Sequence, residues 1–196
     1  MAQFDPRFRR LLSISLDLAT WHRTRAVRNM RRALADRSVR TADVAEAVLH
    51  LALLCGVPTC LDGLERLHLV TGRISLRRDT SSHRRGAAAF REIYGSQARA
   101  VLNRLRALDP FLERWVVKDV YGTVFSRDGL QLRDRAVFTG IILALQGLSR
   151  QSASHIRGAL RLGTTPKEFV HWIEVAERRT GVRLTTARKD LARFAR

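Results

Sequence analysis

Phe8 to Leu34 lies over Asp134 to Leu160 without a gap, and no other feature constrains the fold of this chain as much. In that register Arg9 falls on Arg135, Arg31 on Arg157, and Ala33-Leu34 on Ala159-Leu160. After one insertion in the first copy, Asp43 falls on Glu168 and Gly56-Val57 on Gly181-Val182. The repeated regions carry apolar residues at helical spacing. Val44, Ala47, Val48, Leu51, Ala52 and Cys55 form one such stripe, and Val137, Phe138, Ile141, Ile142, Leu145 and Leu148 another. The expectation is two copies of a helical unit packed against each other.

Helix starts support this. Asp5-Pro6 and Asp109-Pro110 each place a capping acid before a proline at the first helical position. Thr165-Pro166-Lys167-Glu168 has the form of a capping box, and Thr59 with Asp62 is a similar start. No sustained alternating pattern of a strand occurs, so the expected fold class is all-α. Ser75 to Gly86 (SLRRDTSSHRRG) is polar, basic and without periodicity, and reads as a linker or exposed loop. The expected organisation is a first helical unit over 1–76, a basic linker over 77–86, and a second helical unit over 87–196. Within the second unit, helices are expected from Ala87 to Leu108 and from Pro110 to Val120.

Charge sets this chain apart. Lys and Arg number 36 against 18 acids, giving a net charge of +18. Only Lys118, Lys167 and Lys189 are lysines, which leaves 33 arginines. One account is a genome whose codons favour arginine. The other is a nucleic-acid surface that neutralises phosphates. The arginines are spread over most expected helices, and no zinc-finger spacing or RNA-binding aromatic motif accompanies them, so nucleic acid stays the less favoured partner. No apolar run reaches the 18 residues of a membrane span. The N-terminus (MAQFDPRFRR) lacks the apolar core of a signal peptide, and a cytoplasmic location is expected. Cys55 and Cys60 are expected as free, partly buried thiols.

Candidate chemistry gathers in Tyr121 to Ala159. The turn Arg127-Asp128-Gly129 leads through Arg133 and Arg135 into an apolar helix, and a second helix carries His155 beside Arg157. Fixed guanidinium groups match carboxylate oxygens, and histidine moves a proton near neutrality. Together they point to chemistry on a small anion. Arg157 lies two residues past His155 and so points to the opposite side of a helix.

This stretch resembles the signature half of the carboxymuconolactone decarboxylase family. That pattern runs aromatic-Gly-x-V-aromatic-S-R-x-G-L, then R-x-R, then H-x-R-x-A-L. It is met here by Tyr121 to Leu130, by Arg133 and Arg135, and by His155 to Leu160. Glu46 to Pro58 (EAVLHLALLCGVP) is similar to the family's E-V-L-L-H-x-A-x-Y-x-G-x-P. The two blocks occur in swapped order along the chain. Each copy of the repeat keeps a different half of the pattern: Asn29 stands at the position of His155, and Val175 at that of His50.

The resemblance implies an alkylhydroperoxidase-D-like fold, association into a homo-oligomer, with a trimer as one arrangement, and a decarboxylation without metal or cofactor. Carboxylate loss from a small lactone or keto acid leaves electrons on carbon, delocalised toward a carbonyl. Cations would stabilise that oxyanion and an acid would return a proton to carbon. His155, Arg135 and Arg133 are the expected catalytic residues. Arg127, Tyr121 and His50 are expected to bind the substrate, with His50 also readable as a hydrogen-bonded core histidine.

Thiol peroxidases of the same fold use C-x-x-C-x-x-x-H with an upstream glutamate. Here Leu148 and Gln151 stand where the cysteines would, and Ala136 at the glutamate. Peroxidase chemistry is therefore disfavoured. The same departures leave a second reading open, in which the family fold persists as a non-catalytic structural or binding protein.

Overall fold

A computed structural model describes residues 4–74 and 82–195. Among them the chain is helical, with no strand. The helices are α1 (Pro6–Ala19), α2 (Arg23–Ala35), α3 (Thr41–Cys55), α4 (Val57–Thr71), α5 (His83–Tyr94), α6 (Ala98–Leu108), α7 (Pro110–Trp115), α8 (Leu132–Leu145), α9 (Ser149–Arg161), α10 (Pro166–Thr180) and α11 (Thr185–Phe194). A short 3-10 turn, Gly95–Gln97, separates α5 from α6, and a π-helical segment, Val116–Phe125, continues α7.

The caps act as their sequence demands. Asp5 and Asp109 accept from the backbone N–H of Arg7 and Phe111, and Thr165 accepts from Glu168. Three expectations fail. Residues 83–86, read as linker, belong to α5, because Ser82 caps that helix by accepting from Arg85 N–H. The rest of the linker, 77–81, lies outside the described residues. Ala87 to Leu108 is not one helix, since Gly95 takes a positive φ of 53° and breaks it. Thr59 does not start a helix; α4 begins at Val57, and the Thr59 hydroxyl donates back to Cys55 O at the end of α3.

Packing is organised around α1, α3, α8 and α10. Helix α1 packs on α2, α3 and α10, and α8 packs on α9, α10 and α3; α4 closes on α2 and α3, and α11 on α9 and α10. The main core runs through all of these, with Phe8 edge-on to both Phe138 and Trp172. A smaller core, built on Phe90, Ile93, Tyr121 and Phe125, holds α5 to the π segment. There the two backbones touch. A Cβ on Gly86 would come within 2.5 Å of Val117 O and overlap the Gly122 nitrogen.

The α1–α2 and α8–α9 connections are the same turn, 126 residues apart. Trp21 N bonds Leu18 O, His22 N bonds Asp17 O and Arg23 N bonds Trp21 O. Their counterparts are Gly147 N to Ala144 O, Leu148 N to Leu143 O and Ser149 N to Gly147 O. Among the described residues only two non-glycines have positive φ, Trp21 (61°) and Arg37 (53°). Both fall at the register of a positive-φ glycine, Gly147 (74°) and Gly163 (94°). A side chain there costs roughly 1–2 kcal/mol against glycine.

Candidate functional site

Three pairs of residues, each spaced i and i+4, bring the candidate site together. On a helix that spacing puts both side chains on one face. Glu46 and His50 come from α3, Arg135 and Thr139 from α8, and Tyr121 and Phe125 from the π segment. Single π turns recur at functional positions in helical proteins. His155 on α9 and Arg127, just past the π segment, complete the group. Glu46, His50 and Arg135 have no exposed surface; Tyr121 and His155 keep 3% and 6%.

Glu46 is the centre of charge. Arg127 Nε donates to both its carboxylate oxygens at 3.1 Å, and Arg127 Nη2 donates to Oε1 at 2.6 Å. Arg135 Nη2 donates to Glu46 Oε2 at 3.2 Å and to Arg127 O at 3.1 Å. Burial pulls the Arg135 pKa down, against the pull of Glu46. Its Nε and Nη1 are buried and find no acceptor among the described residues. A guanidinium can only donate, so those N–H groups ask for an oxygen.

The histidines flank an aromatic wall. His50 Nε2 lies 2.9 Å from Thr139 Oγ1. Phe125 meets His50 edge-on at 5.0 Å and stacks on Tyr121 at 4.4 Å and on His155 at 5.7 Å. Tyr121 donates its hydroxyl to that of Tyr94, 3.3 Å away, and Tyr94 approaches the His155 ring at 6.0 Å. Burial lowers the pKa of His155 to about 4 and puts that of His50 well below its ordinary value, so both rings are neutral at pH 7. The Nδ1 of each is buried without a partner among the described residues.

A cleft of about 470 Å³ opens between α5 and the turn after the π segment. Arg85 and Glu92 stand on one side, Arg127 to Gly129 on the other, and Phe125 is part of its lining. Phe125 thus touches both this cleft and the rings of His50 and His155.

Of the residues expected from sequence, His155, Arg135, Arg127, Tyr121 and His50 share one cluster. Arg133 does not. It sits 3.7 Å from Asp134 and 3.8 Å from Glu168 and stays one-third exposed. Arg133 and Arg135 are two residues apart, so a helix that buries one turns the other outward. Arg157 also points away, its guanidinium lying over the Phe194 ring. Glu46 had no assigned role; its place in the E-V-L-L-H-like motif was the only signal.

The two thiols are poor nucleophiles. Burial pushes Cys55 up to about 11 and raises Cys60 as well, which keeps both protonated. Among the described residues no group of three or more His, Cys, Asp or Glu side chains could hold a metal ion, and no helix is long and apolar enough to cross a membrane. No protein-family model matches the chain, and no curated protein matches it.

Proposed function

We propose that the protein is a carboxymuconolactone decarboxylase-like lyase that removes a carboxylate from a small lactone or keto acid without a cofactor. The observation that carries this reading is the set of buried nitrogens on Arg135, His50 and His155 that lack partners among the described residues while sharing one cluster. Buried polar groups left unpaired cost about 1–3 kcal/mol each, and a small oxygen-rich ligand would satisfy them. Phe125, in contact with both the cleft and the histidines, is the side chain such a ligand would pass.

In this scheme the C–C bond to the carboxylate breaks, CO₂ leaves, and the electron pair passes onto the neighbouring carbonyl oxygen. Arg135 donates to that oxyanion, supported by Arg127 at the cleft. His155 then gives a proton to carbon and regains one from solvent. It starts neutral, so the bound anion itself must raise its proton affinity, as an adjacent opposite charge does. Ligand binding is therefore coupled to proton uptake.

The test is a thermal-shift screen of small carboxylates and lactones beside short duplex DNA, at low and moderate salt, followed by calorimetry in buffers of different ionisation enthalpy. A stabilising carboxylate that takes up as much as one proton, loses its effect in His155→Gln and yields CO₂ supports the reading. Stabilisation by DNA alone, or by none of these compounds, refutes it. One observation favours a second reading, a non-catalytic binding or structural protein. Glu46 already pairs with both arginines of the cluster. In that case no compound releases CO₂.

The matched turns support a further part of the same proposal, that the chain is a duplicated alkylhydroperoxidase-D-like unit. Such units associate through their core helices, and a homo-oligomer, with a trimer as one arrangement, is expected in the cytoplasm. Light scattering at micromolar concentration checks it, and a monomer counts against it.

A further inference from the structure

We infer that the ligand group received by His50 carries a proton (a hydroxyl, an enol or an un-ionised carboxyl), because Thr139 fixes the His50 tautomer and leaves Nδ1 as a bare, buried acceptor. The ligand class rests on the proposed lyase reading; the tautomer rests on the hydrogen-bond geometry and on the neutral ring that burial gives His50. Thr139 Oγ1 donates to Arg135 O, four residues earlier on α8, at 2.8 Å. A hydroxyl has one proton, and we assign it to this bond, the shorter of the two that Oγ1 makes. Toward His50 the same oxygen can only accept. The 2.9 Å contact is therefore Nε2–H donating to Oγ1. A neutral imidazole with its proton on Nε2 has a lone pair on Nδ1.

That lone pair sits on a residue with no exposed surface and has no donor among the described residues. A carboxylate oxygen facing it would set lone pair against lone pair. A protonated oxygen would hydrogen-bond. In the same cluster, the Nε–H and Nη1–H groups of Arg135, which have no acceptor among the described residues, call for one. One cluster thus offers an acceptor on His50 and donors on Arg135. A 2-hydroxy carboxylate or the enol of a keto acid carries both complements, and a fully ionised polycarboxylate carries only one. Thr139 acts here as a positioning residue, through His50.

The experiment has two arms on the full chain. In the first, nitrogen-15 NMR of the ligand-free protein reads the histidine tautomers. His50 is expected to show a protonated Nε2 and an unprotonated Nδ1. Thr139→Val, nearly isosteric, should move His50 toward a mixture of tautomers, and Thr139→Ser should restore the wild-type signature. A protonated Nδ1 in the wild type, or a signature unmoved in Thr139→Val, overturns the assignment. In the second arm, a 2-hydroxy carboxylate is titrated against its 2-methoxy ether. The hydroxy acid is expected to bind at least about tenfold more tightly, with the advantage lost in Thr139→Val and kept in Thr139→Ser. Equal binding of the two overturns the ligand class while leaving the lyase reading in place. Binding of neither, with the tautomer as expected, overturns the lyase reading and the ligand class with it, and leaves the tautomer standing.

Discussion

Replacing Glu46 with Gln tests whether the buried charges form one unit. The glutamate has no exposed surface and accepts from two guanidinium groups, one of which, on Arg135, also has none. Gln keeps the size and one acceptor oxygen. It removes the negative charge and turns an NH₂ toward donors. Arg135 then stays buried with no counter-charge from α3. Breaking a buried pair by removing one partner typically costs about 3–5 kcal/mol. Against a total stability of roughly 5–15 kcal/mol for a domain, that is a large fraction. The assay is urea denaturation followed by circular dichroism, in Glu46→Gln and in the double variant Glu46→Gln with Arg135→Met. The single variant should lose about 3–5 kcal/mol. The double variant should recover much of it, because Met at position 135 removes the one fully buried guanidinium, and Arg127, the other partner of Glu46, keeps 12% of its side chain exposed. A single variant within about 1 kcal/mol of wild type, or a double variant whose losses simply add, would refute the coupling.

Acid should act through two opposed contributions. The folded-state pKa of His155 lies at about 4 against an ordinary 6.5, so its contribution is full above pH 6.5 and lost as pH falls through 4. His50 has the same sign. Asp134 runs the other way: burial lifts it to about 6 from 3.8, so the folded state binds that proton first and gains stability on acidification. Asp134→Asn should therefore lose roughly 2–3 kcal/mol more than wild type between pH 6 and 4, read from urea midpoints at each pH; parallel pH profiles would show the assignment wrong. Gly86→Ala places a Cβ against the backbone of the π segment and should cost about 1–3 kcal/mol by overpacking; a midpoint unchanged from wild type would contradict that contact.

The all-helical fold and the starts of α1, α7 and α10 were legible because their causes are local. Asp5, Asp109 and Thr165 cap helices by bonds that span two or three residues. Glu46 shows the limit. Its meaning depends on arginines 81 and 89 residues away, and no local pattern records such a meeting. Arg133 shows a different one. An R-x-R spacing names two candidates, and only the rotation of α8 within the core decides which faces inward. The π segment was hidden because no local pattern in Val116 to Phe125, which is rich in β-branched residues, marks a π turn. Its contact with α5 runs through Gly86 and Gly122, residues with no side chain to announce it.

The separation of the site's members has a consequence in time. Glu46 meets Arg127 across 81 residues, and His50 meets Thr139 across 89. Closing a loop of that length costs about 4 kcal/mol in chain entropy by the logarithmic rule. The short hairpins α1–α2, α3–α4 and α8–α9 close far more cheaply and can form first. The buried ion cluster is thus expected to assemble late, after the helical pairs exist and α3 has met α8. Lesions in it should leave the refolding rate nearly unchanged and accelerate unfolding instead. Glu46, Arg135 and His50 then govern how long the native state lasts, more than how quickly it is reached.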